Sequence, residues 1–137
     1  MLDTFKFHHI GVAVNNIEAT TAIYVHGGYK QSETIFDPIQ NVNICWLTKD
    51  FMPTIELLAP VDENSPINKI LAKNGVIPYH ICYMVADIGQ AIKDLRRLKY
   101  TLVSKSEPAV AINNCNVCFL FNKHIGLIEL VEEPANI

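Results

Sequence analysis

Residues 9–19 read His-Ile-Gly-Val-Ala-Val-Asn-Asn-Ile-Glu-Ala, and residues 80–90 read His-Ile-Cys-Tyr-Met-Val-Ala-Asp-Ile-Gly-Gln. An offset of 71 residues separates His9 from His80, Val14 from Val85, Ile17 from Ile88 and Tyr29 from Tyr100. Asn41-Val42 recurs as Asn116-Val117 at an offset of 75, and Ile55-Glu56-Leu57 recurs as Ile128-Glu129-Leu130 at 73. Matches in one order, with the small drift that loop insertions produce, mark an internal duplication. The chain therefore reads as two modules, 1–62 and 76–134, joined by a helical linker over 63–75 and forming one domain over 1–137.

Each module reads as βαβββ. Phe7 to Val14 alternates small and β-branched residues, a strand pattern. Asn15 or Asn16 caps a helix through Ile17, Ala19, Ala22 and Ile23, which Gly27-Gly28 ends. Tyr29–Ile35, Val42–Leu47 and Thr54–Leu58 follow as strands. The second copy gives strand 79–85, helix 88–98 capped by Asp87, and strands 100–105, 116–122 and 126–131. Pro66 opens the linking helix, where its missing N–H costs nothing. Neither copy alone buries much surface, so the two should share a core.

The composition bounds the function. The chain has 137 residues, half of them hydrophobic, with 11 basic and 14 acidic side chains. That excludes a disordered chain, and there is no run of about 18 apolar residues to span a membrane. A net charge of −3 offers no basic footprint for nucleic acid or an anionic membrane. Residues 1–10 lack the apolar stretch of a signal peptide, so the expected compartment is the cytoplasm and the expected partner a small molecule.

Side chains alternate across a strand. His9, Gly11 and Ala13 oppose Ile10, Val12 and Val14. His80, Cys82 and Met84 oppose Ile81, Tyr83 and Val85. Glu56 and Glu129 each interrupt an Ile-Glu-Leu strand, where an unpaired carboxylate costs several kcal/mol. Two histidines and two glutamates on equivalent faces would offset one another by sharing a divalent first-row metal, with two coordination sites left for water or substrate. The other reading of each residue is a hydrogen-bonded histidine or a solvent-facing glutamate.

These motifs, with Ile55-Glu-Leu-Leu-Ala-Pro, Ser65-Pro-Ile-Asn-Lys and Gly126-Leu-Ile-Glu-Leu, resemble the vicinal oxygen chelate superfamily from Phe7 to Glu133. That superfamily includes glyoxalase I, methylmalonyl-CoA epimerase, extradiol dioxygenases and bleomycin-resistance proteins. The resemblance implies an α+β fold in which paired βαβββ modules form a cup-shaped mixed sheet around one metal. It assigns His9, Glu56, His80 and Glu129 as ligands. The metal would be nickel, cobalt or zinc, with manganese or iron as further options. A homodimer is implied, with the modules pairing either within one chain or between chains.

Within the superfamily the quartet resembles bacterial glyoxalase I, and a glyoxalase I-like lyase is the leading expectation. That chemistry isomerises a hemithioacetal to a thioester through a metal-held ene-diolate, with Glu129 or Glu56 as base. The first alternative is a methylmalonyl-CoA epimerase-like isomerase, which the stretch from Ser65 to Ile88 resembles. The epimerase pattern places a second carboxylate base near Asn43, where asparagine cannot take a proton. The second alternative is a binding protein of the bleomycin-resistance type. Asn43, Cys45, Trp46, Cys82, Met84 and Cys118 are the expected pocket residues. Cys115-x-x-Cys118 has no partner pair and reads as structural. Lys93, Arg96, Arg97 and Lys99 at a helix end read as a solvated face, or as a contact for an anionic substrate tail.

Overall fold

The computed structural model describes residues 2–135. The fold is α+β: the second copy has the βαβββ order, and the first has the same order with its second strand split in two. The first copy contains β1 (Lys6–Ala13), α1 (Ile17–His26), β2 (Lys30–Gln31), β3 (Ile35–Asp37), β4 (Val42–Thr48) and β5 (Ile55–Pro60). After α2 (Ile67–Asn74) come β6 (Ile77–Val85), α3 (Ile88–Arg97), β7 (Thr101–Ala109), β8 (Cys115–Asn122) and β9 (Gly126–Glu132). The chain divides into two compact units, His9–Tyr79 and the residues before His9 together with those from His80 onward.

In the unit His9–Tyr79 the strand order is β2-β4-β5-β1, with β3 also paired to β4. Strands β1 and β5 run parallel, with Gly11 opposite Glu56, while β4 is antiparallel to β5 and places Trp46 opposite Glu56. The strand expected over 29–35 is two short strands. Ser32 interrupts them: its hydroxyl accepts the Trp46 N–H at 2.9 Å and donates to the Glu33 carbonyl. Asn16 is the cap of α1, its side chain accepting from Ala19 N–H at 2.9 Å. The inward face of α1 is Ile17, Thr21 and Tyr24, whereas Ile23 is 75 % exposed. Thr21 is accommodated because its hydroxyl donates to the Glu18 carbonyl. Ile17 and Tyr24 pack on Val12, Val14, Cys45, Leu47, Leu57 and Ala59. The helix leaves through Gly28 at φ +92°, a conformation that glycine adopts without a Cβ penalty.

The other unit has the order β6-β9-β8-β7, with β6 parallel to β9 and the remaining pairs antiparallel. Asp87 caps α3 by accepting from Gln90 N–H at 3.0 Å. Ile88, Ala91 and Leu95 of α3 pack on Val85, Cys118, Leu120, Ile128 and Leu130. Strand β7 ends this order, and Pro108 fits there because an outer strand needs no ladder donor from it. Among the described residues no helix is long and apolar enough to cross a membrane.

Candidate metal centre

Glu56 is held by register on both sides, opposite Gly11 on β1 and opposite Trp46 on β4. His9, two positions earlier on β1, lies on the same face, with its Nε2 3.2 Å from Glu56 Oε1. The indole of Trp46 meets the His9 ring edge-on, centroids 4.9 Å apart. Both His9 and Glu56 are buried.

The other unit repeats this arrangement. Glu129 stands opposite Cys82 on β6 and opposite Phe119 on β8. His80 Nε2 is 3.2 Å from Glu129 Oε1, and the Phe119 ring meets His80 edge-on at 5.3 Å. Ser104 hydroxyl accepts the Phe119 N–H at 3.0 Å, as Ser32 does for Trp46. Ser32 and Ser104 are not singled out by the sequence reading. Their signal is that they recur at an offset of 72, within the spacing of the duplication.

Strand alternation sorts the remaining pocket expectations. Trp46, Cys82 and Met84 share a face with the nearby His–Glu pair. Asn43, Cys45 and Cys118, expected at the pocket, lie on the opposite face of their strands. Asn43 stands opposite Ala59 and Cys45 opposite Leu57, on the face that α1 covers. Cys118 stands opposite Leu130, in the core under α3. Reading cysteine as a pocket residue mistook small, buried core positions for the polar phase. The β4 residues that do share the Glu56 face are Val42, Ile44, Trp46 and Thr48, none of which is a carboxylate. Burial pushes the Cys118 thiol up to about 12, and Glu129 adds to the shift.

The donor set suits a divalent ion. Two ligands at a right angle on one ion, each about 2.1 Å from it, stand about 3 Å apart. Each His–Glu pair, at 3.2 Å, approximates that spacing. Imidazole nitrogen with carboxylate oxygen is a first-row transition-metal or zinc donor set, and the pairs are anchored by strands rather than by loops. An ion also relieves the cost of enclosing carboxylates in a core.

Comparison with known proteins decides the family. Residues 8–119 match the model of the glyoxalase/bleomycin resistance protein/dioxygenase superfamily. The chain belongs to that superfamily. An ethylmalonyl-CoA/methylmalonyl-CoA epimerase of Cereibacter sphaeroides is 33 % identical over 91 % of this chain and 96 % of its own length. The structure of a variant methylmalonyl-CoA epimerase of Streptomyces coelicolor, in complex with 2-nitronate-propionyl-CoA, matches with a TM-score of 0.80 at 30 % identity, covering 95 % of this chain and 98 % of that one. A hypothetical protein of Bacillus halodurans superposes with a TM-score of 0.86 at 28 % identity, covering 98 % of each chain.

These relatives overturn the glyoxalase I-like expectation. The named enzymes among them are epimerases, of the isomerase class, and none of these is a hemithioacetal lyase. A His/Glu donor set does not distinguish the two reactions, because both begin with proton removal beside a carbonyl. The resemblance of residues 65–88 to the epimerases was the better guide.

Proposed function

We propose that this chain is an epimerase-type isomerase of a 2-substituted acyl-CoA such as methylmalonyl-CoA. The duplicated His–Glu pair carries the reading, supported by acyl-CoA epimerase relatives that match nine-tenths of the chain. The pairs His9 with Glu56 and His80 with Glu129 would hold a divalent cation: nickel, cobalt or zinc, with manganese or iron as further options. When bound, the cation supplies Lewis-acid stabilisation of negative charge developing on the thioester oxygen.

The chain's own residues move the proton. One glutamate, Glu129 or Glu56, takes the hydrogen from the carbon between the two carbonyls as a carboxylate base. The other, protonated, returns a hydrogen to the opposite face, and the carbon inverts. Exchange with solvent then resets the two carboxyls. This division of roles is favoured because β4 and β8 offer no further carboxylate on the glutamate-bearing faces: Ile44 and Trp46 on one, Val117 and Phe119 on the other. The aromatic pair also excludes water from the carboxylates, which strengthens their electrostatic interactions.

The test is interconversion of the two methylmalonyl-CoA epimers by cation-loaded protein. Glu129→Gln and Glu56→Gln are each expected to slow it by at least about a hundredfold. Elemental analysis of the parent should find one divalent ion per chain. A parent that holds no ion under any loading condition, or a pair of variants as fast as the parent, would remove the reading.

A further inference from the structure

The end of α3 and the β8–β9 hairpin form one open surface that is both basic and apolar. Asn122 joins the two segments, its Nδ2 donating to the Leu98 carbonyl at 3.4 Å and its Oδ1 accepting the His124 N–H at 2.8 Å. Leu98, Lys99, Phe121, Lys123 and His124 border a single shallow depression there. Leu98 is 47 % exposed, Phe121 45 % and Ile125 61 %. Arg96 and Lys99 lie on either side of Leu98 in the chain, and Lys123 and His124 lie between Phe121 and Ile125; all four are exposed.

This patch reverses the sign of a chain whose net charge is −3. Residues 95–101 and 121–126 contain no carboxylate. Among the described residues the one ion pair here joins Arg97 to Asp94 at 4.0 Å. Basic residues in the last turn of a helix offset its dipole, which accounts for Arg96 and Arg97. The dipole does not account for Lys123 and His124, which a hairpin contributes, nor for three large apolar side chains left in solvent beside them. Cations around an apolar centre are the make-up of a protein interface: the centre supplies affinity, and the charged rim steers the approach.

The patch continues onto the face that carries a carboxylate. Phe121 shares a face of β8 with Phe119, about 7 Å away along the strand, and Phe119 stands opposite Glu129. A partner seated on the patch is therefore at the margin of the reacting face, from which a flexible arm reaches Glu129. That partner is acidic, because the patch is cationic. It is a protein rather than a nucleic acid or a lipid surface, because three apolar side chains share the patch and the chain as a whole is anionic.

We infer that this surface docks a small acidic protein that carries its acyl group as a thioester on a phosphopantetheine arm. The inference rests on the acyl-thioester reading of the site and adds a second class of carrier to it. The acyl group arrives on a protein as well as on coenzyme A, and the arm delivers the thioester to Glu129.

The experiment measures deuterium exchange at the substrate carbon by the cation-loaded full chain for three thioesters. They are methylmalonyl-pantetheine, methylmalonyl-CoA, and a bacterial fatty-acid acyl carrier protein loaded with a methylmalonyl-phosphopantetheine arm. The parent is compared with the double variant Arg96→Gln/Lys123→Gln and with Ile125→Ser, exposed positions where substitution costs little stability. The double variant should lower kcat/KM for the carrier-bound thioester about tenfold and flatten its salt dependence. Ile125→Ser should lower it about fivefold and leave the salt dependence unchanged. Both small thioesters should change by less than about twofold. A parent that handles the carrier-bound thioester no better than methylmalonyl-pantetheine would overturn the inference. Equal losses for methylmalonyl-CoA would do the same, since they mark a surface that reads phosphates. So would RNA or anionic vesicles that bind the parent as tightly as the unacylated carrier does. The reading beneath fails separately: carrier binding that depends on Arg96 and Lys123, without exchange in any thioester, removes the reaction and leaves the docking surface. Exchange of both small thioesters by a chain that does not bind the carrier does the reverse.

Discussion

The His9 ring meets Trp46 edge-on at a centroid separation of 4.9 Å, and Trp46 stands directly opposite Glu56 in the β4–β5 ladder. One aromatic side chain thus packs on the histidine and neighbours the glutamate of the same pair. His80, Phe119 and Glu129 repeat the relationship at 5.3 Å. The duplication therefore preserves the buttress as well as the donors. Orientation of metal-binding imidazoles depends on such support.

Removing a buttress should loosen the donors without unfolding the chain. Trp46→Ala and Phe119→Ala are expected to weaken binding of a divalent cation by about tenfold, whereas Trp46→Phe retains most of it. Competition with a chelating dye measures this. Equal affinity in Trp46→Ala and parent would show that the ring does not orient His9.

The serine hydroxyls behind the aromatics make a matched pair of predictions. Ser32→Ala leaves the Trp46 N–H without its acceptor, and Ser104→Ala does the same to Phe119. Each should cost about 1 kcal/mol in urea unfolding. The two losses should be similar, because the geometry is duplicated.

Core packing beneath α3 is open to the same kind of measurement. Leu95 is fully buried, and Leu95→Ala should cost about 2–5 kcal/mol as a cavity opens under the helix. Substitution of the exposed Ile23 by Ala on α1 should cost little, since 75 % of that residue is already in solvent.

Alkaline pH should destabilise the fold through Cys118. Burial holds its thiol protonated up to about 12, with Glu129 contributing further. In the unfolded chain the same thiol ionises near about 8.5, so the native state keeps a proton that the unfolded state releases. Stability is therefore insensitive to this group below that pH and falls as pH rises towards the native value. Tyr100, raised mainly by burial and secondarily by Tyr83, acts in the same direction. Urea midpoints from pH 8 to 10.5 should decline, and less steeply in Cys118→Ala.

Much of this molecule is legible before any coordinates. The repeat locates His9, Glu56, His80 and Glu129 because a buried polar residue inside an apolar strand is conspicuous, and twice at matched spacing more so. Asn16, Asp87 and Pro66 are legible for the same reason: a helix start has its own local chemistry. What fails is phase and partnership. Asn43, Cys45 and Cys118 fall on the helix side because strand register, set by hydrogen bonds to β5 and β9, decides which way a residue faces. The inward stripe of α1 passes through Thr21, a polar residue, because a hydroxyl bonded within its own helix can be buried. The reaction is legible least, since one donor set serves several chemistries.

The most direct measurement of the central claim is deuterium incorporation from heavy water into the carbon between the carbonyls of methylmalonyl-CoA, followed by mass spectrometry. Cation-loaded protein should exchange that hydrogen in both epimers as they interconvert. Glu129→Gln and Glu56→Gln, folded to the same urea midpoint, should each be at least about a hundredfold slower. A cation-loaded parent that binds the thioester and leaves that hydrogen unexchanged would contradict the account.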